Sequence, residues 1–384
     1  MRNKLIFAAL VFMGFSACSL SPQTEEGIVW QYNLDYDIVA GVVQVGNSVF
    51  FADETGNIYN VWMDTGNLRW FRTLSNQNIV LLYAAEIAYN DCLFVIYTNS
   101  GSSDSILRKY DAADGGLISQ TNLPILPSAN YFTYTNSSLQ TILLLHSKTD
   151  VVKVVMDGTS FTITPYYSID FNLTDIRTIA YGDGNFYLFD FDGTIVKTDL
   201  EFSSPSTEQL PSNIYGAAAY FSFNQKLYIG TSTGLIVYNA VTMAHLTEED
   251  ITSMEVKYSP LYINPIYKML YVGYSKFNNP GIGKYDITSA LSQKWFYKSF
   301  DPITYSPVYY SEMLDVIAAI DDYGSINIVN AQTGALLFNK YLGVITHPYL
   351  KWAKDYYGKT VYIPVNNPSR VFCYSLDYAV SQQN

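Results

Sequence analysis

The chain has 384 residues, of which 49% are hydrophobic and only 15% charged, with 35 Tyr and 21 Phe. Acidic residues outnumber basic ones 34 to 22, for a net charge of −12, and a surface of that sign repels phosphate backbones, which argues against nucleic acid as a partner. Three cysteines in so long a chain exclude a disulfide scaffold, so packing must hold the fold.

The chain begins like an export signal. Arg2 and Lys4 form a basic stretch, and Leu5 to Phe15 form an apolar run too short to make a good membrane span. The ending Phe15-Ser16-Ala17-Cys18 resembles a bacterial lipobox, departing from it at Phe15, where Leu is commoner. This predicts a lipoprotein signal over residues 1–17 and a lipid on Cys18, followed by a polar tether to residue 27. An ordinary signal cleaved at the same bond, with Cys18 incidental, is the alternative. Cleavage removes Arg2 and Lys4, leaving 20 basic against 34 acidic residues, a charge of −14. The lipid, not a basic patch, must then hold the protein to a membrane.

Beyond the tether the chain reads as short β-strands. In Gly46–Trp70, β-rich runs at 48–52 and 57–63 flank the turn Asp53-Glu54-Thr55-Gly56, and Asp64-Thr65-Gly66-Asn67 leads into a further run ending at Trp70. The same unit recurs. Aligned on the turn before its third strand, it falls at Gly56, Ser105, Thr149, Gly193, Gly234, Pro280, Gly324 and Pro368, about 45 residues apart, the period of a four-stranded propeller blade. The copy around 139–168 is the least regular.

These repeats resemble the PQQ-like (pyrroloquinoline-quinone-like) β-propeller family, whose unit has a Ser-Pro-apolar first strand, a Gly-apolar-Tyr third strand and a Thr-Gly turn into a fourth strand ending in Trp. The residues that carry the likeness are Ser259-Pro260-Leu261-Tyr262, Ser306-Pro307-Val308-Tyr309, Gly56-Asn57-Ile58-Tyr59, Thr65-Gly66 with Trp70, Thr333-Gly334 with Phe338 in place of Trp, and Trp295. The resemblance covers about residues 28–378 and implies an all-β fold: an eight-bladed propeller of four-stranded antiparallel blades, leaving 379–384 as a tail. Seven blades is the alternative, should the irregular copy be an insertion. Gly27–Leu34 reads as a fourth strand with its Trp30, whereas 369–377 reads as a third strand with little after it. The N-terminal strand is therefore expected to complete the last blade, offsetting the loop-closure entropy of the ring with one strand pairing. A ring closed in this way is expected to be monomeric.

Candidate chemistry is sparse. His146, His245 and His347 fall in different blades without partners at ligand spacing, and no Cys or His cluster accompanies them. Asp190-Phe191-Asp192-Gly193 looks like a calcium loop, but the later bidentate carboxylate is missing and Asp53 and Asp322 sit in the aligned turns, so a turn role is expected. Glu248-Glu249-Asp250 reads as a solvated loop between blades. Tyr166-Tyr167 and Tyr309-Tyr310 read as core and edge. A quinone-dependent dehydrogenase of this family would carry calcium, a cationic partner and a vicinal disulfide. The chain has no Cys-Cys pair, only Trp30, Trp70 and Trp295 in fourth-strand positions, and no Gly-x-Ser-x-Gly elbow. The expectation is no catalysis, no cofactor and no metal.

Two non-catalytic classes remain. One is a lipid-anchored scaffold for an envelope protein partner, like the propeller lipoproteins of the outer-membrane β-barrel assembly machinery. The other is a surface-displayed module for a glycan or host ligand. The likeness names no partner-contacting residue. Loops on the face around the channel, the longest being 98–105, 121–130, 203–213 and 275–283, are where a site is expected. Cys92, on the second strand of blade two, and Cys373, on the third strand of blade eight, are expected buried and unbridged, with blade one between them.

Overall fold

Alternating Val, Ile, Leu and aromatic residues make each repeat an antiparallel sheet, and the positive-φ positions of its glycines make the turns. The computed structural model describes residues 26–382 apart from 75–76, 100–104, 129–130, 137, 159, 167–172, 253, 259–260, 277, 307, 344–352, 356–357 and 367. The signal, Cys18, most of the tether, His347 and Tyr167 lie outside those residues, as does the side chain of Tyr166.

Eight four-stranded antiparallel blades form a closed ring. Blades one to seven occupy residues 38–73, 77–123, 131–166, 176–209, 214–252, 262–298 and 309–341. Blade eight takes three strands from 353–375 and its fourth from Ile28–Asn33, which pairs antiparallel with Arg370–Ser375. The irregular copy is a complete blade with all four strands in register, so the ring has eight blades. First strands of successive blades approach one another and line the channel, and fourth strands are outermost.

The core is a series of layers between blades. Phe50 and Ile58 of blade one pack with Leu93 and Tyr97 of blade two, and equivalent clusters bridge each neighbouring pair around the ring. A lone sheet would leave two apolar faces wet, whereas radial stacking covers both.

A polar staple accompanies seven of the eight layers. In blades one to seven the backbone carbonyl just after the third strand accepts a side-chain donor from the preceding blade. Trp30 donates through Nε1 to the Met63 carbonyl (2.9 Å), Trp70 to Ala112 (3.0 Å) and Trp295 to Ala331 (3.1 Å). Where no Trp is present, Lys109 donates to Gly158, Lys153 to Leu200 (3.3 Å), Lys197 to Ala240 (2.9 Å) and Asn224 to Ile287 (2.8 Å). Each Trp ring also lies flat against a turn glycine. At Gly66, with φ +68°, a Cβ would sit 2.6 Å from the Trp30 ring, and Gly115 and Gly334 meet Trp70 and Trp295 in the same way.

Several expectations are corrected. The tryptophans do not end their strands: Trp70 lies inside Leu68–Thr73 and Trp295 inside Ser292–Lys298, because contact with the next blade's turn requires a mid-strand position. The third strand of blade eight stops at Ser375, whose hydroxyl accepts from the Tyr378 amide and caps a helix, Leu376–Ser381. Blade eight has no turn into its fourth strand, since that strand comes from the N-terminus. Phe338 of blade seven packs instead on Tyr374 (5.7 Å) and on Tyr378 of the helix (6.0 Å). The segment 203–213 is not one loop: Ser206–Gln209 is the fourth strand of blade four, fully exposed and polar because nothing covers an outermost strand.

Candidate functional site at the channel mouth

The connections between blades and the turns between second and third strands share one face, the mouth of the channel. Among the described residues the connections are clipped by backbone bonds to their own blade, to the preceding one, or to both. Phe191 N donates to Asp175 O (2.9 Å) and Ile214 N to Phe191 O (3.1 Å); Ser232 N donates to Asn213 O (3.1 Å) and Val256 N to Thr231 O (3.0 Å). The acidic turn residues complete these clips. Asp190, fully buried, accepts from the amides of Thr174 (2.9 Å) and Asp175 and from the Thr174 hydroxyl (3.1 Å). Asp53 accepts from the Thr55 and Asn57 amides (both 3.0 Å) and from Tyr59 OH (2.7 Å), and Asp322 from the Thr304 amide (3.0 Å) and hydroxyl (2.6 Å). Asp192 caps the Thr194 amide (2.8 Å). These carboxylates act as turn braces, as expected of the calcium-like motif.

On this braced rim lies a row of aromatic rings from four consecutive blades. Phe191, in the turn of blade four, meets Tyr215 at the start of blade five edge-on (5.7 Å). Tyr215 meets Tyr258, in the connection to blade six, edge-on (6.1 Å), and Tyr258 stacks on Tyr305, in the connection to blade seven (5.7 Å, 18°). All four rings are half-buried. The Arg177 guanidinium lies 4.7 Å over Phe191 and the Lys257 ammonium 5.8 Å from Tyr215, each paired with a carboxylate, Asp175 and Glu255 (3.3 Å) respectively. Gly216, at φ +132°, forms a bulge beside Tyr258 that lets the rings converge. Burial raises the Tyr305 hydroxyl above its ordinary range, helped by the Asp322 carboxylate, and burial raises Asp321 and Asp322 as well. An adjacent shallow cavity of about 510 Å³ is lined by Ser232, Thr233, Thr252, Glu255 and Lys276.

On the inner strands, Tyr131 of blade three and Tyr309 of blade seven are buried enough that both hydroxyls are pushed up, Tyr131 with a further contribution from Tyr309. Tyr310, by contrast, is buried between blades against Tyr271 (5.7 Å, stacked).

The two described histidines do not converge. His146 is buried on the second strand of blade three, its ring within reach of Ser128 Oγ (3.1 Å) and Ser147 O (2.9 Å). His245 stacks on Tyr238 (4.9 Å) and meets Asp250 (2.7 Å). Glu248-Glu249-Asp250 corrects the solvated-loop expectation. Thr247–Glu249 is a short 3-10 turn inside blade five, and the Glu249 carboxylate is held by Lys226 (2.5 and 2.7 Å) and the Leu291 amide (3.2 Å). Only Glu248 points to solvent. Among the described residues no three His, Cys, Asp or Glu side chains cluster as a metal would require. Cys92 and Cys373 are free and buried on the strands expected; burial raises both thiols, Cys373 to about 12.

The aromatic row was not anticipated. Of the loops singled out, 124–128 and 275–280 do border the mouth, but most of 98–105 lies outside the described residues.

No protein-family model matches the chain, and no curated protein matches it in sequence. Its fold is similar to that of several solved structures. Sqt1 from Saccharomyces cerevisiae aligns with a TM-score of 0.71 at 12% identity, over 91% of this chain and 99% of that one. The computationally designed Ika8 protein aligns with a TM-score of 0.62 at 16% identity, over 92% and 100%. BamB from Moraxella catarrhalis aligns with a TM-score of 0.61 at 14% identity, over 91% and 97%.

Proposed function

We propose that this protein is a non-catalytic scaffold held at the bacterial cell envelope, at the outer membrane, by a lipid on Cys18, and that it docks a partner protein at the channel mouth. The aromatic row Phe191–Tyr215–Tyr258–Tyr305 with Arg177 and Lys257 carries this reading. Protein-binding hot spots favour Tyr, Trp and Arg on rigid, partly desolvated surfaces, and this row is braced by backbone clips on four blades. A glycan would also find stacking faces here, but a row with paired cations and carboxylates matches the mixed polarity of a protein interface better. Outer-membrane protein assembly, the process served by the lipid-anchored propellers that the sequence resembles, is the specific form of the reading; the fold likeness to BamB supports it.

The test is a pull-down from native membranes with tagged full-length chain, alongside an Arg177→Glu/Tyr258→Ala variant checked for native circular dichroism. A partner retained by wild type and lost from the variant supports the reading; equal recovery overturns the mouth as the docking site. Protease applied to intact cells should leave the protein uncut if it faces the periplasm. Cleavage would favour a surface-displayed module.

A further inference from the structure

The opposite face is built differently. There several hairpins between first and second strands end in exposed apolar side chains: Tyr89 is 96% exposed and Leu139 84%, and Phe223, Ile266, Tyr267 and Met313 are each more than half exposed, Phe223 with the Lys268 ammonium over its ring (3.4 Å). Two of these tips are held in left-handed backbone, Tyr89 at φ +66° and Leu139 at φ +60°. A bulky residue there costs roughly 1–2 kcal/mol that Gly or Asn would not, and full exposure returns none of it. Blades one and four use the ordinary solution, Gly46-Asn47 and Asp183-Gly184.

The N-terminal segment leaves the ring on this same face. Ser375 N donates to Gly27 O (2.8 Å) and Leu376 N to Lys359 O (2.7 Å), which puts Gly27 beside the first hairpin of blade eight. Eight residues, or nine peptide steps, separate Cys18 from Gly27, a reach of about 30 Å. A lipid on Cys18 therefore keeps this face, rather than the mouth, towards the bilayer.

We propose that the hairpin face rests on the bilayer, with Tyr89, Leu139, Tyr267 and their neighbours in the headgroup layer. The inference rests on the anchored-scaffold reading above. Among the described residues the apolar tips fall in two arcs, blades two and three and blades five to seven, divided by the polar tips of blades one and four, so they are not gathered into the single central patch that a protein partner packs against. A fluid interface needs no shape match, and tyrosine with aliphatic neighbours suits it. The acidic charge of the chain points to a zwitterionic lipid surface and to apolar insertion rather than charge attraction.

The full lipidated chain, bound to phosphatidylcholine vesicles and carrying an environment-sensitive fluorophore at Tyr89→Cys or Leu139→Cys, tests this against Glu54→Cys on the mouth face. The expected result is a blue shift at 89 and 139, with quenching by brominated lipid several-fold stronger than at 54. Probes that stay in water on a chain floating with the vesicles overturn the proposal and leave the anchor intact. Flotation that does not depend on Cys18 overturns the anchor, and this inference with it. Probes shielded only after envelope extract is added assign the face to a protein, which also overturns it.

Discussion

The two faces of this ring are made from the same blades yet spend their loops in opposite ways. At the mouth, buried carboxylates and backbone clips hold the described loops to neighbouring strands, and the four rings of the row are half-buried and mutually packed, although Phe300 and Tyr323 on the same side stand exposed. At the hairpin face, Tyr89 and Leu139 stand almost fully exposed on turns that put them in left-handed backbone. Rigid display and strained exposure are different functional signatures. The first suits a partner that must be matched in shape, the second a surface that yields.

Cysteine probes could break this comparison most directly, and they depend on the native thiols being silent. Burial raises Cys373 to about 12 and Cys92 above its ordinary value, so little thiolate forms at pH 8 and the strands occlude what does. Native protein should take up thiol reagent at least about a hundredfold more slowly than unfolded protein, which should show both residues reactive without reduction. A mapped Cys92–Cys373 disulfide would contradict the eight-blade register.

Stability should separate the faces next. Asp190→Ala strands the Thr174 and Asp175 amides inside the rim and should cost about 3 kcal/mol in urea unfolding. Tyr89→Gly or Leu139→Asn should instead stabilise by about 0.5–1 kcal/mol, because it relieves left-handed strain and uncovers nothing. A loss of stability at the tips would mean they are packed after all.

How far the sequence could carry this account depends on where each signal resides. All eight turn anchors, from Gly56 to Pro368, fall at the start of a third strand or within two residues of it, because turn chemistry is local. Closure by Ile28–Asn33 was legible for the same reason, as a fourth strand without the other three. Ser206–Gln209 was missed because an outermost strand need not alternate. The lysine staples at 109, 153 and 197, and Lys284, which donates to the Ala331 carbonyl beside Trp295, lie four residues after the turn anchor in four of the eight repeats, a pattern legible only once the repeats are stacked on one another. The aromatic row was not legible. Its rings come from four blades and meet only because the ring closes.

The smallest effect is one of pH. Burial raises Asp321 and Asp322, so their contribution is fully present below the unfolded carboxyl range near pH 4 and is lost as pH rises through their higher folded values. Between pH 4 and 7, the stability of wild type relative to Asp322→Asn should therefore fall. A difference that stays flat or grows would mean the mouth carboxylates are not desolvated.

The claim that the mouth binds protein while the hairpins meet lipid is tested most directly by photo-crosslinking in the native host. A photoreactive residue is placed at Tyr258 in one full-length chain and at Tyr89 in another. The account predicts a discrete protein adduct from position 258 and none from 89. Protein adducts from 89 with none from 258 would contradict it.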